Sequence, residues 1–358
     1  MIEVRTPNVR YPVRFANTAE DVAAAIQEAS PRGRLLVFSD SHVAPLYLTP
    51  LTNALQSLGR TVRTFVVPAG EASKSVASAA KLWDEVFSGD VDRNDTVVAL
   101  GGGVVGDLSG FMASTIMRGL GFIQVPTTML AMSDAAIGGK TGINIDAGKN
   151  LVGAFHQPRA VIAWTDTLLT LSKRELASGM AEVVKSALID GEASVQLFRE
   201  TARPALEGDR TAIEACARIG AGLKARIVSE DELEHGVRAY LNLGHTFAHA
   251  IEHASGYGEW THGEAVAAGM VLAARYSEHI GACDASVVAL VREMVREVQL
   301  PEEPPKMSLD EWVHPIFRDK KRSGDQVKLI LLRGAGGVFG HPTSFDELAA
   351  WLKANVVG

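Results

Sequence analysis

Four of the chain's ten histidines fall within residues 242–264, "NLGHTFAHAIEHASGYGEWTHGE": His245, His249, His253 and His262. The first three are spaced i, i+4, i+8. With Phe247, Ala250 and Ile251 as an apolar set between them, the segment reads as a helix carrying three imidazoles along one stripe. Imidazole is the commonest metal ligand, but a histidine taken singly is more often a hydrogen-bonded or part-exposed side chain. The rest of the chain has to supply the other ligands. Cys216 and Cys283 are its only cysteines, too few for a disulfide framework or a thiolate cage, so any metal takes nitrogen and oxygen ligands.

A second stretch, "DTVVALGGGVVGDLSGFMAS", sets Gly101, Gly103 and Gly106 as G-x-G-x-x-G after a strand-like run and before a helix-like one. Glycines there let the backbone approach a pyrophosphate whose charge sits at a helix N-terminus; a structural turn is the competing reading. The acidic residue usual some 20 positions downstream is missing, since that region reads "VPTTML". Asp40, ending the strand-like "LLVFSD", is the acid placed to meet a ribose, with a helix cap or turn as its alternative role.

The elements that carry these groups change texture along the chain. "RLLVFSD", a helix through 43–58, "TVRTFVVP", a helix through 76–87 and "DTVVALGGG" alternate as βαβ units around a parallel sheet. After about residue 172, "RELASGMAEVVKSALI" and "AIEACARIGAGLKARIV" repeat apolar residues at helical steps, with few strand-like runs before "VKLILLR". The expected plan is an α/β Rossmann-like nucleotide-binding domain over 1–171 and a mainly α-helical domain over 172–358. The 358 residues, 47% hydrophobic and 22% charged, suffice for two cores. No apolar run approaches the roughly 20 residues of a membrane span and the N-terminus lacks the apolar core of a signal peptide, which points to the cytoplasm. A net charge of −7 without a basic run argues against nucleic acid or an anionic membrane as partner. An anionic small substrate requires scattered lysines to converge.

The blocks "PAGEASKS", "GGGVVGDLSGF", "MRGLGFIQVPTTMLAMSDAAIGGKTGIN", "GKNLVGAFHQPRAV", "GMAEVVKSALI", "DELEHGVRAYLNLGHTFAHAIE", "THGEAV" and "DKKR" run in order from about residue 68 to 322. In them the chain resembles the 3-dehydroquinate synthases, members of the sugar phosphate cyclases. The resemblance implies an NAD-binding α/β domain joined to a helical metal-binding domain. It also implies a phosphate-eliminating lyase of the shikimate pathway, converting 3-deoxy-D-arabino-heptulosonate 7-phosphate into 3-dehydroquinate and phosphate. The family's route is transient oxidation by NAD, phosphate elimination, re-reduction and intramolecular aldol closure, with a divalent metal, zinc or cobalt.

Matched position by position, the resemblance makes Glu182, His245 and His262 the metal ligands. His249 then belongs to the substrate-phosphate side with Lys140, Asn150, Asn242 and Lys320, and His253 is left to the surface or to packing. Lys224 and Arg238 match residues near the substrate carboxylate, while Lys149, Lys185, Asp134 and Glu234 match those that contact or polarise its hydroxyls. For NAD the matches are Asp40 on the adenosine ribose, Glu71 and Lys74 in the "GEASK" turn, and Gly102, Gly103 and Val104 at the pyrophosphate. Asp107, Thr127 and Thr128 lie toward the nicotinamide half, with Lys140 and Lys149 also within reach; Asp107 has helix capping as its alternative role. Family members form homodimers in which the counterpart of Arg118 reaches the neighbouring subunit's substrate phosphate. Ile116, where several members have tyrosine, and "TGIN" for "TAVN" depart from the pattern beside functional residues without replacing one. The alternatives are another sugar phosphate cyclase such as an aminodehydroquinate synthase, a metal-dependent polyol dehydrogenase, or a catalytically silent NAD-binding regulator.

Overall fold

The computed structural model describes residues 2–256, 259–318 and 326–357, so Lys320 lies outside the described residues. The chain forms two compact units, Met1–Leu171 with Ala221–Leu233, and Ser172–Gly220 with Glu234–Gly358.

In the first unit β1 (Ile2–Arg5), β2 (Arg10–Ala16), α1 (Ala19–Ala29), β3 (Leu35–Asp40), α2 (Thr49–Ser57), β4 (Val62–Val67), α3 (Val76–Phe87), β5 (Thr96–Gly101), α4 (Gly103–Thr115) and β6 (Gly121–Pro126) are followed by a hairpin, β7 (Lys140–Ile145) and β8 (Gly148–Phe155), and by β9 (Ala160–Trp164). Seven strands form one sheet in the order β1-β2-β9-β6-β5-β3-β4, and every neighbouring pair is parallel except β1 with β2. All residues of β5 and β9 are buried. Strands covered on both faces read as unbroken apolar runs, as "TVVALG" and "AVIAW" do. From β3 the chain steps outward to β4 on one side, while β5, β6 and β9 lie on the other. The β3/β5 boundary is therefore the switch point of the sheet, where doubly wound folds bind ligands. Asp40 ends β3 and Gly101 ends β5, so this strand order brings the upstream acid beside the glycine loop.

The second unit holds α5 (Lys173–Asp190), α6 (Glu192–Leu206), the first part of α7 (Arg210–Glu230), α8 (His245–Ala254), α9 (His262–His279), α10 (Ala285–Glu297), α11 (Leu309–Arg318), the antiparallel pair β10 (Gln326–Leu332) and β11 (Val338–Ser344), and α12 (Phe345–Asn355). Its core includes Phe247, Tyr276, Trp312 and Trp351, with ring centroids 5.0 Å apart for Tyr276–Trp351 and 6.4 Å for Phe247–Trp312.

The expected division differs from the structure over 221–233. Ala221, Ala225 and Val228 of α7 pack with Val4, Tyr11, Val13 and Ile137, and Gln157 donates to Glu232 at 2.9 Å, so this segment belongs to the first unit. The expected helix over 43–58 begins as a π-helical turn, Ala44–Leu48, before α2.

The third glycine of the loop serves packing. A Cβ on Gly106 would lie 2.9 Å from Gln124 Oε1, and one on Gly110 would lie 2.3 Å from Thr141 Cγ2 and 2.9 Å from Phe122. Helix α4 thus rests on β6 and β7 with no room for a methyl group. Gly110→Ala should destabilise the first unit by about 1–3 kcal/mol through overpacking. The measurement is the urea midpoint at unchanged m, and an unchanged midpoint would contradict the close approach.

Candidate metal centre and nucleotide loop

Three helix segments of the second unit bring Glu182, His245 and His262 together. Their ligand atoms all lie within 4.8 Å of one another, and among the described residues they are the one such group found. Glycines explain the approach. A Cβ on Gly263 would stand 1.8 Å from the Ser178 carbonyl oxygen, so the start of α9 lies directly on the backbone of α5, one turn before Glu182. A Cβ on Gly269 would meet the Gly244 carbonyl oxygen at 2.3 Å, which seats the start of α8 against α9. Gly244 itself has φ +80°, the left-handed conformation that lets the chain turn into His245.

His262 is the first residue of α9, fixed by a capping box in which Thr261 Oγ1 accepts the Glu264 N–H and Glu264 accepts the Thr261 N–H. Arg174 holds Glu264 through both carboxylate oxygens, at 2.7 and 2.8 Å. His245 opens α8, and Phe247, buried in the aromatic core, turns the histidine stripe away from that core. His249 and His253 are exposed, and neither joins the ligand group. The His253 ring lies 6.1 Å from that of His314.

Glu182 is 1% exposed, and its carboxylate is met by charged and imidazole groups rather than by backbone or hydroxyl donors. His262 Nε2 lies 3.4 Å and His245 Nε2 3.7 Å from Glu182 Oε1, and the Lys185 ammonium stands against Oε2. Burial opposes the Glu182 charge, but Lys185 and the two imidazoles outweigh it and hold the acid well below the usual glutamate range. Burial and the Lys185 charge push His245 down to about 3. For His262 burial acts in the same direction, yet Glu182 and Glu252 raise it to about 9. A buried carboxylate with two imidazole nitrogens facing it is the donor set of an open, catalytic-type divalent metal site, and these residues fit such an ion.

In the first unit the glycine loop enters α4 through Gly102, whose position supplies no side-chain cap; a Cβ there would lie 3.1 Å from Thr128 Cγ2. Thr127 is 3% exposed and its hydroxyl oxygen is buried without a hydrogen-bond partner. An uncapped helix start beside an unsatisfied buried hydroxyl fits a bound dinucleotide. Asp40 Oδ1 accepts the His42 and Val43 N–H groups at 2.8 and 2.9 Å, the turn role that was its alternative. Asp107 lies inside α4 and caps nothing. Its Oδ2 is 2.7 Å from Lys74 Nζ, and burial raises its pKa against the pull of Lys74. Glu71 Oε1 is 3.7 Å from the same ammonium.

Of the remaining candidates in this unit, Thr128 Oγ1 accepts the Ala131 N–H and so starts the π-helical turn Ala131–Ala135 that carries Asp134. Lys224 Nζ reaches Asp134 Oδ1 at 2.8 Å. Lys140, Lys149 and Asn150 are exposed on the β7–β8 hairpin, and Arg118 is exposed in the turn after α4. In the second unit Asn242 Nδ2 donates to Glu234 Oε1 at 3.2 Å, and Arg238 is 1% exposed.

Two neighbours of these residues escaped sequence reasoning. Asn144 accepts the Asn150 N–H, donates to Glu71 Oε1 at 2.7 Å, and through its own N–H bonds the Lys74 carbonyl. It thereby ties the "GEASK" turn to the hairpin. Glu252 lies 3.4 Å from His262 Nδ1. Seven residues after His245, two helical turns on, it shares that helix face, which is the signal that would have found it.

A nucleotide loop at a sheet switch point and a buried carboxylate–imidazole triad on a helical unit define a dinucleotide- and metal-using enzyme. Residues 64–178 match the family model described as 3-dehydroquinate synthase N-terminal, and residues 179–322 match that described as 3-dehydroquinate synthase C-terminal. A 3-dehydroquinate synthase of Neisseria meningitidis serogroup A is 42% identical over 337 residues, 94% of this chain and 93% of the relative. One from Acidithiobacillus ferrooxidans is 43% identical over 326 residues, 91% and 90% of the two chains. The chain belongs to the 3-dehydroquinate synthase family.

Among solved structures, a 2-deoxy-scyllo-inosose synthase complexed with carbaglucose-6-phosphate, NAD+ and Co2+ superposes with a TM-score of 0.90 at 26% identity, over 98% of this chain and 99% of that one. A 2-epi-5-epi-valiolone synthase from Streptomyces hygroscopicus with NAD+ and Zn2+ bound gives 0.86 at 27% identity, over 97% and 96%. A glycerol dehydrogenase from Schizosaccharomyces pombe, at 16% identity and a TM-score of 0.68 over 99% and 91%, shares the fold.

Gly263→Ala tests the helix contact behind the triad. Its methyl group would overlap the Ser178 backbone, which has no flexible end to give way, so His262 should shift from Glu182. Retained zinc after dialysis should fall well below the wild-type level, and equal retention would refute this account of the centre.

Proposed function

We propose that the chain is a 3-dehydroquinate synthase, converting 3-deoxy-D-arabino-heptulosonate 7-phosphate into 3-dehydroquinate and phosphate. The observation that carries the reading is the triad of Glu182, His245 and His262, assembled around a buried carboxylate. A divalent ion held there supplies Lewis acidity, lowering the pKa of a substrate hydroxyl as it does that of bound water. NAD held at the glycine loop by Asp40, Lys74, Thr127 and their neighbours supplies a reversible hydride acceptor.

The side chains then hold and orient two anions and a polyol. Lys224 and Arg238 take the substrate carboxylate, the planar guanidinium suiting a planar acid, and Asp134 keeps the Lys224 ammonium in place. Lys140, Asn150, Asn242, His249 and Lys320 take the phosphate. Lys149, Lys185, Asp134 and Glu234 contact the hydroxyls. Holding the substrate in one geometry and away from bulk water provides much of what ring closure needs.

The purified protein with the heptulosonate phosphate, NAD and zinc should release phosphate and form 3-dehydroquinate in equal amounts, with no accumulation of NADH because the reaction has no net redox change. Exhaustive chelation should abolish turnover, and zinc or cobalt should restore it. NADH accumulating in step with substrate consumed, or full activity in a verified metal-free sample, would refute the reading.

The chain acts as a homodimer in this reading, with Arg118 serving the neighbouring subunit's substrate phosphate. Leu151, Val152 and Phe155 on β8 are 62%, 38% and 47% exposed, apolar surface of the kind association covers. Arg118→Ala should weaken substrate binding by about 1.5–3 kcal/mol and leave NAD affinity unchanged. Arg118→Ala and Lys140→Ala homodimers, each impaired at limiting substrate, should regain activity when their subunits exchange, because one site of each hybrid then carries neither lesion. No recovery after proven exchange would put Arg118 in its own subunit's site or outside any site.

A further inference from the structure

The His262 ring lies between two carboxylates. Its Nε2 is 3.4 Å from Glu182 Oε1 and its Nδ1 is 3.4 Å from Glu252 Oε1. His245 is arranged in parallel, with Nε2 toward Glu182 and Nδ1 3.3 Å from the Leu243 carbonyl oxygen. Both imidazoles thus present the same nitrogen to the triad and back the other against an acceptor. The acceptors differ, because His245 uses a neutral carbonyl two residues away whereas His262 uses an anionic side chain from another helix.

We infer that Glu252 is a positioning residue for the metal centre, an outer carboxylate that holds the His262 ring so that Nε2 faces the ion. A neutral imidazole donates from one nitrogen and offers a lone pair at the other, so an acceptor at Nδ1 commits Nε2 to the metal. His262 needs this more than His245 does. Its side chain is 34% exposed against 14%, and it sits in the first turn of α9. Glu252 is 17% exposed on α8, whose start is seated against α9 by Gly244 and Gly269, so the acceptor is delivered by a rigid contact. Charge favours the arrangement too. Lys185 already stands against Glu182, so a divalent ion would leave the triad with excess positive charge that Glu252 offsets.

The inference rests on the metal reading of the triad, and its test separates the two. Full-length wild type, Glu252→Gln and Glu252→Ala are titrated with zinc against a chromogenic chelator, and their cobalt forms are compared by visible absorption. Both variants should bind zinc more weakly, Glu252→Ala by about 10–100-fold, with altered cobalt bands, unchanged NAD affinity and a wild-type circular dichroism spectrum in the metal-free protein. Wild-type zinc affinity and an unaltered cobalt spectrum in both variants would overturn the role of Glu252. Absence of zinc binding in the wild type would overturn the metal reading with it. Should Glu252→Ala fail to fold, the near-isosteric Glu252→Gln decides: weakened binding supports the inference, and wild-type affinity overturns it.

Discussion

A carboxylate removed from water is among the most unfavourable groups a protein can hold unless cationic or hydrogen-bonding groups face it, and the second unit is arranged around one. Glu182 survives as an anion because Lys185 and two imidazoles face it. Each is delivered by a separate constraint: Lys185 by its place one turn along α5, His262 by the contact of Gly263 with Ser178, and His245 by the left-handed Gly244 and the Gly269 contact. The capping box of Thr261 and Glu264 and the clamp of Arg174 act on the same helix start. A unit selected for stability alone would fill this place with apolar side chains, since a buried ion pair seldom outperforms them. The cluster is intelligible as a donor set that a divalent ion completes.

Backbone strain marks a different set of residues. Among the described residues five non-glycine positions have positive φ: Met117, Arg118, Asn150, Glu234 and Gln299. Each costs on the order of 1–3 kcal/mol and persists only where its surroundings enforce it. Three of them, Arg118, Asn150 and Glu234, are residues that resemblance alone assigns to the substrate, and Met117 adjoins one. The enforcement is visible in two cases, where Asn144 accepts the Asn150 N–H and Asn242 holds the Glu234 carboxylate. The turn around Arg118 is closed by the Gly119 N–H bonding the Ile116 carbonyl and the Leu120 N–H bonding the Ala113 carbonyl.

Much of this was legible in the sequence, though unevenly. The βαβ alternation, the helical texture beyond residue 172 and the glycine loop follow from periodicity and punctuation, which are local properties. The ligand triad was legible through resemblance: spacing alone favoured His249 and His253 beside His245, and nothing in the spacing pointed to Glu182. What stayed hidden is long-range. The amphipathic pattern of α7 runs without a break through the point where it passes from one unit to the other, because the apolar residues Ala221, Ala225 and Val228 carry no mark of which core receives them. Asn144 and Glu252 look like an ordinary strand-end amide and an ordinary helix acid until the fold places Asn150 and His262 against them.

Burial marks out a few cations in a chain whose net charge of −7 does not favour an anionic substrate. Beyond about 8–10 Å that global charge is screened by salt, so anion binding depends on cations held close and out of water. Lysine and arginine are almost never fully buried unless they are paired. Among the described residues five are: Arg60, Lys74, Lys185, Lys224 and Arg238. Arg60 has a structural use, since its guanidinium donates to the Ser30, Arg32 and Gly33 carbonyls and to Gln27 around the end of α1. The other four are residues that resemblance assigns to NAD or substrate, and the three lysines each stand against a carboxylate, Asp107, Glu182 or Asp134. That pairing fixes each ammonium in place before any ligand arrives. Cations held in this way before a ligand arrives limit the ordering entropy that binding an anion must overcome.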